Sequence, residues 1–508
     1  MANQQVQMAE FLLGDFYGPI VSAVGHQLLR HFSLTLPQLR QKLPAEYPMS
    51  KVKESLMCLL QNGLASSVIV DRDNELKTQF RLAIDNALSI VHCAGFIYRA
   101  NLLFGEVGRE IAHEFTLHGQ LTCDEVATIV AERLERTEAE VRSTLLEMFQ
   151  TQFVRTSPMF EEHLLAKEAG GDPKKAEPLV AGYNRTLTAG VMYALSRQRF
   201  YRQERNELVI ELVGRLHTHP YAKNIVRCMI RLAETKANAD GPGAGAAAAA
   251  ATMSPTLRQE EIVNMVEKEL KISRNETVAC LRALVFVPRN TQYRPEDDIL
   301  VVKRDAYQTD AFVVDWLLAT RLWLRQTALH YATERHGGYA SCILGMLLSH
   351  GSSEIDAVQR ATLICPKEAK SVMYTLEADG FVERVETIVT GDGPYRQDPR
   401  YRSSYLHLAR LLEQRWEQAI FNVLLQRKKT ADQHRVLLNK YKTLDKFART
   451  LEEPQDVSDL WASLTRPERY TLSVLRQQML QTGVQQQTLC RELIMIKYAT
   501  KMFLNEHS

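Results

Sequence analysis

The stretch that decides the fold is SKVKESLMCLLQNGLASSVIVDRDNELKTQFRL, residues 50–82. Val52, Leu56 and Leu59 are spaced by four and then three, which keeps their side chains on one helix face. Leu64 comes five residues later. That step breaks the helical period and suits a turn into a strand, and Gly63 stands before it as a helix C-cap. Leu64–Val70 and Leu76–Leu82 then read as two strands joined by the polar turn Asp71-Arg72-Asp73-Asn74-Glu75.

The phrase recurs. Val141, Leu145, Met148 and Phe153 repeat the spacing, and so do Ala369, Met373, Leu376 and Phe381. Thr277, Leu281 and Leu284 form a partial copy that loses its last position at Arg289. A unit repeated in this way predicts a modular scaffold rather than one catalytic pocket.

Working outward, Leu12, Leu13, Phe16, Tyr17, Ile20, Val21, Val24 and Leu28 form a one-faced apolar stripe. Pro19 interrupts it, predicting a kink or two abutting helices. A short helix near Leu36–Lys42 follows. Three helices and a β-hairpin are a winged-helix pattern, a variant of the helix-turn-helix. The expected chain is therefore mainly α with small β wings. It has four tandem winged-helix domains and a C-terminal coiled-coil helical hairpin.

The modules are expected at 1–85, 86–196, 197–306 and 307–404, with the hairpin at 405–508. The second carries a polar insertion at 161–177, the third an Ala/Gly-rich loop at 238–255, and the fourth a wing insert at 387–404. Capping boxes predict helix starts at Thr122/Glu125, Thr137/Glu140, Thr256/Gln259, Ser273/Glu276 and Thr465/Glu468. A helix is expected from Ala311 to about Glu334. Residues 405–452 contain no Pro or Gly, and Trp416, Val423, Thr430, Leu437, Leu444 and Leu451 recur every seven residues. Thr430 and the polar run Gln426–Arg435 weaken that stripe.

The totals fit this reading. A chain of 508 residues suits three or four domains. Its net charge of +2 argues against coating nucleic acid by bulk electrostatics. The eight cysteines form no CxxC pair, which speaks against a zinc ribbon and for a reducing compartment. Single cysteines on apolar helix faces are expected to be buried and inert. The opening residues lack signal-peptide features and no stretch reads as a bilayer span, so a cytosolic or nuclear protein is expected.

Catalytic signatures are missing from the sequence. Gly241, Gly243 and Gly245 lack the strand a nucleotide loop needs, and a poly-Ala run follows them. No HExxH, P-loop, GxSxG or kinase set occurs. No cofactor, metal or small-molecule substrate is expected.

Two sets of basic residues are candidate nucleic-acid contacts. Arg40, Lys42, Lys51 and Lys53 lie around the first helix-turn-helix, where they read either as phosphate contacts or as a solvated face that Glu54 dilutes. Arg396, Arg400 and Arg402 interleave with Tyr395, Tyr401 and Tyr405 in the fourth wing, which suits base stacking or a protein contact. Trp416, Val423, Leu437, Leu444 and Leu451 are the candidate subunit-contact stripe.

Four segments together resemble one family. They are AEFLLGDFYGPIVSAVGHQLLR (9–30), FIYRANLLFGEVGREIAHEFTLHGQLTCDEV (96–126), CPKEAKSVMYTLEADGFV (365–382) and LTRPERYTLSVLRQQ (464–478). The chain is similar to the tandem winged-helix subunit of eukaryotic RNA polymerase III, the largest member of that enzyme's initiation heterotrimer. Pro19, the irregular third wing and the two long loops depart from the family pattern. The resemblance implies two partner subunits, docking on the clamp of the largest polymerase subunit, and promoter DNA near the melted region. It implies a non-catalytic role in promoter opening and initiation at genes for transfer RNA, 5S ribosomal RNA and other small RNAs, in the nucleus and without a membrane. The alternatives are a free-standing winged-helix DNA-binding regulator and a winged-helix scaffold of another complex.

Overall fold

The computed structural model describes residues 2–72, 75–157, 187–188, 190–217, 219–239, 252–285, 301–305, 310–385, 400–448 and 461–507. Arg289, Arg396, Leu451 and the insertion 161–177 lie outside these residues, as do most of 238–255 and 387–404. The chain is mainly helical with small antiparallel sheets.

Every copy of the repeated phrase is buried. Val52, Leu59, Leu64, Val141, Leu145, Met148, Met373 and Leu376 are fully enclosed, and Leu56, Phe153, Ala369 and Phe381 nearly so. Thr277, Leu281 and Leu284 of the partial copy are buried too. Each such Leu or Phe contributes about 1.5–3 kcal/mol of apolar burial.

The step of five has a backbone cause. The N–H of Leu64 donates to the carbonyl of Leu59 at 2.9 Å, Phe153 to Met148 at 2.8 Å, and Phe381 to Leu376 at 2.9 Å. Each is the long bond of a Schellman helix end, which joins residues five apart and brings their apolar side chains together. The residue just before the last position takes the left-handed conformation. It is Gly63 (φ 63°), Gln152 (φ 64°) and Gly380 (φ 82°).

Four three-stranded sheets share one topology among the described residues. In each, a strand of two or three residues precedes a helix and pairs with the last strand, which lies in the centre. The central strands are Glu75–Leu82, Met192–Leu195, Ala311–Val314 and Arg400–Arg402. In the first sheet Leu34 faces Phe80 and Ala65 faces Leu82 across the ladder. Helices with such a sheet are consistent with a winged helix.

Several expectations need correction. Ala311–Val314 is a strand and not the start of a helix, because Phe312, Val313 and Val314 suit a sheet. The helix starts at Trp316, capped by Asp315, whose carboxylate accepts from the N–H of Leu318 at 2.9 Å. Thr256 does not cap the third module's helix. Its hydroxyl donates to Asp305 at 2.9 Å, and Glu261 reaches back to the N–H of Arg258 instead. The run 405–452 is not one helix. Tyr405–Gln433 and Arg435–Ala448 meet at a turn on His434, inside the polar stretch that weakens the heptads. Cys342 and Cys365 are exposed, whereas Cys123, Cys228, Cys280 and Cys490 are buried.

One helical run, Ile84–His118, is long and apolar enough by composition to cross a bilayer, contrary to the sequence expectation. Its character is that of a core element. Gly105 (φ 72°, ψ −162°) breaks it, and Phe96, Ala100, Ile111 and Phe115 are buried in the protein.

The chain divides into two units. The first holds 1–200 and 416–492. An aromatic cluster lies in it: Phe153 sits 4.8 Å from Phe200 and 5.4 Å from Phe104, and Phe200 sits 4.9 Å from Phe96. Pro19 starts a second helix after Gly18, so the N-terminal stripe is two abutting helices. Phe11 packs edge-on against Phe421 at 5.9 Å, and Gln5 donates to Glu417 at 2.8 Å.

The second unit holds 201–415 and 493–508. Arg205 lies over the Trp316 ring at 4.1 Å and the Tyr498 ring at 4.9 Å. Leu493, Met495, Ile496, Ala499 and Phe503 are buried. The stretch 405–508 is thus shared between the units and contributes to the core of each.

Candidate nucleic-acid and partner interface

The first helix-turn-helix positions Arg40 at the end of the helix Leu36–Lys42. Its guanidinium donates to the carbonyls of Pro44 and Ala45, both at 3.2 Å, and so caps the chain leaving that helix. Lys51 is paired with Glu54 at 2.7 Å. Lys42 and Lys53 are exposed. On the helix Met49–Gln61, Lys53 lies between Met49 and Met57 at steps of four, and both methionines are exposed. One cation between two thioethers suits a protein surface better than a row of phosphates.

The corresponding helix of the second module, Glu138–Gln150, carries Glu138 and Glu140 in its first turn. Its one arginine, Arg142, is held by Asp124 at 2.8 Å and Glu138 at 3.4 Å. That face repels phosphate.

The fourth module differs. Lys367, Lys370 and Tyr374 follow one another by three and four on the helix Pro366–Ala378, all exposed. In the sequence this segment announces its buried positions by their period, whereas the exposed ones between them carry no periodic signal. Arg400 and Arg402 are exposed on the central strand beside it. Arg400 is paired with Glu354 at 3.1 Å.

The interleaved tyrosines do not act as a stacking platform. Tyr401 is fully buried, because successive side chains on a strand point to opposite faces and Arg400 and Arg402 take the outer one. Burial pushes its hydroxyl pKa up. Tyr405 packs against Phe503 at 5.9 Å. Tyr395 lies outside the described residues.

The stripe of the C-terminal arm is brought together only in part. Trp416 is buried, and its indole N–H donates to Glu492 at 2.8 Å. Val423, Leu437 and Leu444 are half-buried. The helix Arg466–His507 runs antiparallel to them. Arg427 donates to Gln486, and Lys440 pairs with Glu468 at 2.9 Å. Tyr441 packs against Trp461, their ring centroids 5.4 Å apart and tilted by 37°.

No group of three or more His, Cys, Asp or Glu side chains among the described residues is placed to hold a metal. A cavity of about 700 Å³ in the second unit is lined by Lys303, Asp315, Arg321, Leu322, Phe503 and Glu506, among others. Lys303 is paired with Asp315 at 2.8 Å and Arg321 with Glu506, so these two cations are committed.

The first two helices and the helix-turn-helix that follows them match a family model. Residues 7–66 fit the RNA polymerase III subunit RPC82 helix-turn-helix domain. Across 94% of this chain and 94% of theirs, the sequence is 23% identical to DNA-directed RNA polymerase III subunit RPC3 of Danio rerio and 22% identical to that of Homo sapiens. The chain is thus similar to RPC3 subunits of RNA polymerase III along nearly its whole length. The repeated positions are buried in this chain, while the exposed faces between them vary from acidic to basic–aromatic.

Proposed function

We propose that this RPC3-like chain works as a non-catalytic subunit of RNA polymerase III. It acts within a three-subunit subcomplex in promoter opening and initiation at genes for transfer RNA, 5S ribosomal RNA and other small RNAs. The carrying observation is a similarity to RPC3 subunits that runs along nearly the whole of both chains. Four winged-helix modules, at 1–85, 86–196, 197–306 extended through its wing strand Ala311–Val314, and the remainder of 307–404, precede a C-terminal coiled-coil arm. Catalysis belongs to other subunits, and the chain works in the nucleus. The partners are two subunits of the subcomplex and the clamp of the largest subunit.

The DNA contacts belong to the fourth module rather than the first. Arg402, Lys367 and Lys370 are exposed there with no ion pair among the described residues. Arg40 and Lys51 are committed to partners within the chain. Cations already paired within the fold add little to phosphate binding.

Purification on an epitope tag tests the assignment. The chain is expected to co-elute with RNA polymerase III subunits and with transfer-RNA gene transcription. Its depletion should reduce new transfer RNA and 5S ribosomal RNA while messenger RNA persists. Co-elution with a different machine, and with no polymerase subunit, overturns the proposal.

A further inference from the structure

The helix Arg435–Ala448 buries none of its fourteen residues. Yet Val436, Leu437, Leu438, Tyr441, Leu444 and Phe447 are apolar. A helix this short depends on covering such a face, because propensity alone does not hold it. One side is met by the antiparallel helix, through Lys440 with Glu468 and Tyr441 with Arg476, and by Trp461 just ahead of that helix. Another is left uncovered at its start among the described residues, where Val436 is 86% exposed.

Charge gathers on the same arm. Between Arg427 and Ala448 stand Arg427, Lys428, Lys429, Arg435, Lys440, Lys442 and Lys446 against Asp432 and Asp445. This short stretch alone carries more positive charge than the net +2 of the whole chain. Arg435, Lys442 and Lys446 have no ion-pair partner among the described residues. They follow one another by seven and four, so they form one stripe. Val436 and Thr443 repeat the step of seven one residue later, with Val436 the exposed apolar side chain. A cationic stripe therefore lies beside a partly apolar one.

We infer that the helix Arg435–Ala448 is the docking site for an acidic, amphipathic segment of a partner protein. A phosphate backbone satisfies the cations and leaves Val436 in water. A segment with carboxylates on one edge and apolar side chains on the other satisfies both stripes. The helix is roughly 21 Å long. Its face is too small for a tight interface alone, so the contact is a transient one or the edge of a larger interface. The inference goes beyond the polymerase assignment and stands whichever machine carries the chain.

Photocrosslinking in cells tests it on the full chain. The photoreactive residue p-benzoylphenylalanine replaces Val436 in one variant and Thr443 in another, and the crosslinked peptides are identified by mass spectrometry. The expected product is a segment of another protein in which carboxylates outnumber cations. Its yield should fall about tenfold in a Lys442→Glu/Lys446→Glu background, since each reversal sets like charges against each other. A Lys442→Ala/Lys446→Ala background should give a smaller fall, and circular dichroism of both backgrounds should match the parent. Crosslinks to nucleic acid, to a neutral or basic protein segment, or confined to this chain (residues 449–460 included) overturn the inference. So does the absence of any crosslink, or a yield indifferent to charge reversal. If the acidic segment belongs to no polymerase subunit, the docking site stands, and the polymerase assignment is decided separately by the co-elution experiment.

Discussion

The N–H of Phe153 donates to the carbonyl of Met148 at 2.8 Å, and the turn between them puts Gln152 at a φ of 64°. The equivalent turns of the first and fourth modules use Gly63 and Gly380. The second module therefore holds a non-glycine residue where a Cβ is disfavoured. Arg199 supports that turn by donating to the carbonyl of Thr151 at 3.2 Å and lying over the Phe153 ring at 4.5 Å.

Gln152→Gly should stabilise the second module slightly, by up to about 1 kcal/mol, because relief of the left-handed strain outweighs the added freedom of the unfolded chain. Gly63→Ala should cost about 1 kcal/mol for the converse reason, since its new Cβ would meet nothing within 4 Å. Native-state hydrogen exchange of the helix Glu138–Gln150 and of the helix Met49–Gln61 reads the two effects separately. Unchanged exchange in both variants would remove the strain argument.

Gly119→Ala should be far more damaging. Gly119 has a φ of 77°, and a Cβ there would strike the carbonyl oxygen of Gln61 and approach the Cα of Asn62 to 2.7 Å. Both are backbone atoms at the end of the first module's last helix, which is further held by Arg197 donating to the Asn62 carbonyl at 2.8 Å. Overpacking against backbone costs about 1–3 kcal/mol, and the left-handed conformation adds about 1–2 kcal/mol. Chemical denaturation should show an earlier midpoint than for Gly190→Ala, which shares the positive φ but meets nothing within 4 Å.

The outer part of the C-terminal arm should loosen in acid. A hydrogen bond from Lys440, aided by the N–H of Thr465, lowers the carboxyl pKa of Glu468 to about 2. A carboxylate with a depressed folded pKa contributes stability above its unfolded value of about 4.3, and that contribution is lost as pH falls toward about 2. Hydrogen exchange in the helix Arg435–Ala448, corrected for intrinsic rates, should accelerate over that window. In Glu468→Gln the exchange should already be fast at neutral pH and change little on acidification.

The thiols should divide by burial. Desolvation pushes Cys228 and Cys280 up to about 11 and Cys490 up to about 12. Cys342 and Cys365 are exposed. Iodoacetamide near pH 8 should label the exposed pair roughly a hundredfold faster than the buried three, since only thiolate reacts. Mass spectrometry of the digested chain gives the order, and early labelling of Cys490 would contradict its burial against the carbonyl of Val91.

Much of the repeated core was legible in the chain. The phrase of four, three and five named core positions correctly, because helix periodicity and the Schellman turn are both local. The boxes at Thr122/Glu125, Ser273/Glu276 and Thr465/Glu468 formed as read, each with the acid back on the cap's N–H, at 2.8, 3.3 and 2.8 Å. The short strands Leu34–Thr35, Leu257–Arg258 and Ser353–Glu354 were not legible. Two residues show no alternation, and only the partner strand makes them a sheet.

The candidate interface was less legible, because exposure is not a sequence property. Arg40 and Lys53 look alike in the chain, yet the carbonyls of Pro44 and Ala45 occupy one and leave the other in water. Tyr401 looked available for stacking until its strand's register turned it inward.

Sequence alone determined the repeated helix-to-strand junction, the helix starts with true capping boxes and the likeness to a polymerase subunit family, since each rests on residues within a few positions or on order along the chain. Tertiary structure decided which cations are committed, which aromatics are core, and that 405–508 supplies buried side chains to two units. Those outcomes depend on groups hundreds of residues apart meeting in space, as Gln5 meets Glu417 and Arg205 meets Tyr498, and no local pattern encodes such a meeting.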